Sequence, residues 1–138
     1  MEIIKLEKDV RLICTTSGPF PDGIEDAIVE LHSKIPFDAG RNYYGIAKKE
    51  KDNDNITFTA ATEEKYPGEA GKFNCSTAIL RKGNYAVITI ENFRGKKDKI
   101  LQTFYKLNTL PEADPESYSI QQYLNDRVAI KCMVRLKN

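Results

Sequence analysis

Two adjacent glutamines, Gln121 and Gln122, sit inside the stretch YSIQQYLNDR at 118–127. Tyr118, Ile120 and Tyr123 are strand formers, and Asn125-Asp126 supplies a turn. Adjacent strand residues point to opposite faces, so the two amides leave the sheet in different directions. An amide brings two N–H donors and an acceptor oxygen, but no charge and no titrating proton. It can orient a bound molecule; it cannot neutralise a cation or move a proton. Other chemistry-bearing residues are sparse. Cys14, Cys75 and Cys132 lie far apart, with no CxxC spacing and no histidine companion. That reads as buried reduced thiols, not as disulfides or a zinc site. The lone histidine, His32, has no cysteine or serine motif beside it and reads as a surface residue. Glu91 reads as a solvated or loop-anchoring carboxylate. The expectation is no metal, no cofactor and no catalytic residue.

The chain that must position these groups has 138 residues, 41% of them apolar, and a formal charge of +1. That length suits one domain with a sizeable core. The near-neutral balance lacks the basic footprint of direct nucleic-acid binding. There is no transmembrane run, and MEIIKLEKDV mixes charges through its apolar residues, unlike a signal peptide. A cytoplasmic protein is expected, with no membrane partner.

One pattern occurs twice. A shift of 76 lays residues 10–31 over residues 86–107. Val10, Leu12 and Cys14 then fall on Ala86, Ile88 and Ile90, the same period-2 strand face. Ile24, Ile28 and Leu31 fall on Ile100, Phe104 and Leu107, one face of an amphipathic helix. Asp22-Gly23-Ile24-Glu25 resembles a capping box at the first helix, and the second runs from near Lys96–Asp98 to about Thr109. Each copy continues with a tyrosine-led strand, a polar turn and a further strand: NYYGIAKK, EKDNDN, ITFTAAT, then SYSIQQYL, NDR, VAIKCMVRL. The loop EEKYPGEAGKFN (63–74) joins the copies, and a short strand, Cys75 to Leu80, leads into a hairpin turn at Arg81-Lys82-Gly83. The fold class predicted is α+β: duplicated strand-helix-strand-strand modules, about 3–62 and 75–137, in one domain spanning 1–138. They form an antiparallel sheet with two main helices and a groove on the open face, where a ligand would bind.

The run LRKGNYAVITIENFRG (80–95), the helix after it, DPESYSIQQYLND and the closing strand resemble the GyrI-like small-molecule-binding family. GPFPDGIEDAIVELHSKIP and NYYGIAKK in the first half fit as well, so the resemblance covers nearly the whole chain. Members include effector-binding domains of multidrug-responsive transcription activators. The resemblance implies a duplicated strand-helix-strand-strand fold and an aromatic groove for hydrophobic, often cationic, molecules. Some members inhibit DNA gyrase and some hydrolyse cyclopropane-bearing toxins. The chain starts almost at its first strand, without room for a helix-turn-helix, so a stand-alone module is expected. The family's glutamate, in E-x-Y-L-N-D, falls here on Gln121. That departure speaks against both a cation preference and hydrolysis.

Strand parity assigns the faces. Val10, Leu12 and Cys14 are expected toward one helix, and Ala86, Ile88 and Ile90 toward the other. Ile120, Gln122 and Leu124 are placed on the helix side, and Tyr43, Gly45, Ala47, Gln121, Tyr123 and Met133 in the groove. Phe20 and Phe93, each just before a helix, flank the groove mouth, and Tyr66 in the central loop serves as a lid. The ligand-binding set is therefore Phe20, Tyr43, Tyr66, Phe93, Gln121, Tyr123 and Met133, around a hydrophobic or aromatic small molecule. The alternatives are a hydrolase of reactive toxins and a gyrase-inhibitor-type module with a protein partner; a homodimer fits any of these.

Overall fold

A computed structural model describes residues 1–15, 18–19, 23–36, 38, 40–49, 56–124 and 128–137. The elements in chain order are β1 (Glu2–Leu6), β2 (Val10–Cys14), β3 (Gly18–Pro19), α1 (Ile24–Lys34), β4 (Tyr43–Lys49), β5 (Ile56–Glu63), α2 (Glu69–Lys72), β6 (Ser76–Leu80), β7 (Gly83–Ile90), α3 (Lys97–Asn108), β8 (Ser119–Tyr123) and β9 (Ile130–Arg135). One antiparallel sheet has the order β1-β7-β9-β8-β4-β5-β2-β6, with β3 beside β5. The α+β class and the two strand-helix-strand-strand runs, β2-α1-β4-β5 and β7-α3-β8-β9, agree with the sequence pattern. Helix α1 starts at Ile24 with Gly23 as its cap; Asp22 and the turns at 50–55 and 125–127 lie outside the described residues.

The two runs meet at the sheet centre. Gly45 lies opposite Gln121 in the middle of the β4–β8 pair, and a local twofold there carries residue 45 to 121, a step of 76. The same step carries Ala27, Ile28 and Leu31 of α1 to Thr103, Phe104 and Leu107 of α3, the residues that face the sheet. The first strands break the rule. Gly45 pairs with Ala60 and Gln121 with Cys132; farther out, Thr62 pairs with Ile13 and Val134 with Ala86. So β2 maps onto β7 with a step of 73 (86 minus 13). Between equivalent positions the first run is three residues shorter: 14 from Ile13 to Ala27 (27 minus 13) against 17 from Ala86 to Thr103 (103 minus 86). An odd change of step exchanges the faces of a strand: Ile13, not Leu12 and Cys14, packs under α1.

Both faces of the sheet are buried. Under α1 lie Ile13, Phe58, Ala60 and Ala70, with Ala27, Leu31 and Ile35. Under α3 lie Ala86, Ile130, Cys132 and Val134, with Ile100, Phe104 and Leu107. The opposite face holds Leu12, Cys14, Tyr44, Ile46, Ala61, Leu80, Tyr85, Val87, Ile120 and Met133. No described helix covers this third cluster; the curl of the sheet does. The connections β1–β2 and β6–β7 are a few residues long, yet each joins strands at opposite ends of the sheet order. Both edges must therefore meet at that end. There the Lys82 N–H donates to Asp9 Oδ1 at 2.8 Å. The expected β6–β7 hairpin is absent: β6 pairs with β2, and β7 with β1 and β9. The loop after β5 also holds more order than its Gly-Pro-rich sequence suggests. It contains α2, whose Glu69 forms a buried two-pronged pair with Arg41, at 2.9 and 2.6 Å.

Candidate functional site: the gap between the helices

Helix α1 packs on β5 and β3, and α3 packs on β9 and β7. The central strands β8 and β4 run between them, so the two helix-covered cores flank the middle of the sheet; the space between the helices over these strands is the gap. Alternation along β4 and β8 sends Tyr43, Gly45, Gln121 and Tyr123 into it. Tyr43 belongs to the α1 core and Tyr123 to the α3 core. The two tyrosines lie directly opposite each other, two residues along from the Gly45–Gln121 pair.

Gln121 is 1% exposed. Its Oε1 accepts the Tyr123 O–H at 3.0 Å, while its Nε2 is buried with no hydrogen-bond partner. An orphaned buried donor costs about 1–3 kcal/mol. Burial, with Cys132 adding to it, pushes the Tyr123 phenol well above the usual phenol range. Tyr123 therefore stays protonated and remains the donor. Its ring lies 5.8 Å from that of Phe93, tilted. On the other flank the His32 ring is 5.2 Å from Tyr43, and the Tyr43 hydroxyl accepts the Asp38 N–H at 2.9 Å. Tyr43, Phe93 and Tyr123 are half-buried beside the fully buried amide.

Four of the residues expected to bind a ligand thus come together: Tyr43, Phe93, Gln121 and Tyr123. The facing expected for them is corrected, because they lie on the helix side and not on the open side. Ile120 and Gln122 are exchanged likewise: Ile120 belongs to the core opposite the helices, and Gln122 stands across from Tyr44 of that same core. Met133 is on the open side as expected, 5% exposed within the curl. Tyr66 is 47% exposed beside α2, where its carbonyl accepts the Glu69 N–H. Phe20 lies outside the described residues. His32 is half-buried against Tyr43, not a surface residue. Sequence reading missed Phe58, fully buried, whose ring occupies the space above Gly45. Its only signal is the alternation with Ala60 in ITFTAAT.

The open side carries a separate groove of about 930 Å³. Tyr85, Leu80, Ala78 and Ile120 line it, with Tyr118, Lys48 and Arg135. Lys48 Nζ sits 5.5 Å above the Tyr118 ring, and Arg135 pairs with Asp114 at 3.1 Å. The groove exists where the fold argument expects one, but it lacks the glutamine and the tyrosine pair. Among the described residues no His/Cys/Asp/Glu cluster suited to a metal occurs, and no helix is long and apolar enough to cross a membrane.

No family model and no curated protein matches this chain. Solved structures do. An integron cassette protein, VCH_CASS2, from the mobile metagenome of Vibrio cholerae superposes with a TM-score of 0.70 at 8% identity, over 99% of this chain and 95% of that one. SAV2435, in a structure bound to tetraphenylphosphonium, superposes with a TM-score of 0.68 at 9% identity, over 99% of this chain and 93% of that one. At such identities the likeness establishes a common fold.

Proposed function

We propose that this chain is a cytoplasmic small-molecule-binding protein that takes a hydrophobic, aromatic ligand into the gap between α1 and α3. The observation that carries this reading is the buried Gln121 amide. It keeps an unused donor at the meeting point of two aromatic flanks, where a core would ordinarily be apolar or fully paired. A fold shared with SAV2435, which is known bound to tetraphenylphosphonium, supports it. So does the GyrI-like resemblance of 80–95 and 118–126, which points to an effector-binding, multidrug-binding and transcription-regulator-like role. The protein would then act as a sensor, a buffer or an accessory of a drug-responsive system. The ligand set is Tyr43, Phe93, Gln121 and Tyr123; Met133 faces the other side of the sheet.

Titration with the neutral dye Nile red tests this. Binding is expected at micromolar strength, about −8 kcal/mol. Tyr123→Ala weakens it, since an aromatic pair adds about 0.5–1.5 kcal/mol beyond buried area. Tyr118→Ala, in the open-side groove, leaves it unchanged. The reverse pattern would move the site to that groove, and no saturable binding would remove the proposal.

A further inference from the structure

We infer that the gap selects an uncharged aromatic molecule that presents a hydrogen-bond acceptor to Gln121 Nε2. This deepens the reading above and rests on it. The Gln121 amide has its oxygen taken by the Tyr123 O–H at 3.0 Å. Its nitrogen is buried and unpartnered. Once the oxygen is engaged, the group that faces a newcomer is a donor, and a donor repels the positive end of a cation.

The described neighbours agree with that polarity. Gly45 and Cys132 stand beside Gln121 on the adjacent strands. Phe58 fills the space over Gly45, and Phe93 backs Tyr123. None of these carries a charge at neutral pH: burial raises the Cys132 thiol to about 12. An ion entering this apolar surround would lose its hydration with no counter-charge among them. A neutral body with one acceptor atom satisfies the orphaned N–H and leaves nothing unpaired. The aromatic rings recognise the body, and the amide reads one atom of it.

Methyltriphenylphosphonium and triphenylphosphine oxide form a matched pair. They share three phenyl groups and differ in a methyl on a cationic centre against a neutral centre bearing an acceptor oxygen. Calorimetric titration of the full chain with each should show the oxide bound about tenfold more tightly, the scale of one hydrogen bond to a buried donor. Gln121→Leu keeps the bulk, removes the donor and should abolish that preference. Gln121→Glu should reverse it in favour of the phosphonium. Equal or stronger binding of the phosphonium by the unmodified chain overturns the inference, because the amide would then meet its ligand through oxygen. That result leaves the small-molecule reading intact. Binding of neither compound removes that reading and the inference together. Should either variant fail to fold, the affinity ratio of the unmodified chain alone decides between these outcomes.

Discussion

A Cβ placed on Gly45 would sit 2.3 Å from Phe58 Cζ, 2.4 Å from its Cε2 and 3.2 Å from Tyr123 Oη. The Phe58 ring is fully buried and has little room to retreat. Gly45→Ala should therefore destabilise by about 1–3 kcal/mol, the usual penalty of overpacking. Urea unfolding measures it, with a lower midpoint and an unchanged slope; an unchanged midpoint would mean that the ring moves aside. Gly45 and Gln121 were both legible in the sequence as unusual residues at the centres of their strands. Their partnership was not, since no local pattern records that residue 45 faces residue 121. Tyr43, Phe93 and Tyr123 were legible as candidates for the same reason that makes aromatics conspicuous anywhere: large rings near a polar group in a strand. Their grouping around one amide needed the register.

At the scale of elements, the helices and most strands were legible, because α1 and α3 keep one apolar face to a solvated back. The strand faces were not. Parity works when one face is wet, and here helices cover one face and the curl closes over the other. Leu12, Ile13 and Cys14 are consecutive and all buried, as are Tyr44, Gly45, Ile46 and Ala47. Alternation then carries no signal. Helix α2 escaped notice because four residues leave no period, and its anchor is distant in sequence. The Arg41 guanidinium, hydrogen-bonded to Glu69, holds that carboxyl down at about 2 against the opposing effect of burial; the Lys65 N–H helps. A carboxyl depressed in the folded state stabilises above its unfolded value, near 4.5. That contribution fades as pH falls from there toward about 2. Glu69→Ala, which strands a buried guanidinium, should cost about 3 kcal/mol at neutral pH. It should also flatten the acid limb of a stability–pH profile. A variant with wild-type stability at pH 7 and the same acid limb would show that the pair contributes nothing.

For the whole molecule, the consequence of the crossed edges concerns synthesis. Strand β1 is made before its pairing partner, β7: Glu2 faces Val87. The two are 85 residues apart (87 minus 2). At ribosomal rates of 5–20 residues per second, β1 waits roughly 4–17 s for its neighbour to be made. Strands β4 and β5 pair with each other close by in the chain, Lys49 opposite Ile56. Pulse-labelled hydrogen exchange during refolding should thus find β1 amides protected after those of β4 and β5, since long loops close late. Simultaneous protection would mean that the curl forms in one step. A nascent chain halted before β7 exposes an unpaired strand that carries Ile3, still 56% exposed in the finished fold. Its lysine, Lys5, and the acid at its start, Glu2, are then the main deterrents to pairing with another chain. Strand β1 must stay soluble on its own charges until the second half of the sheet has left the ribosome.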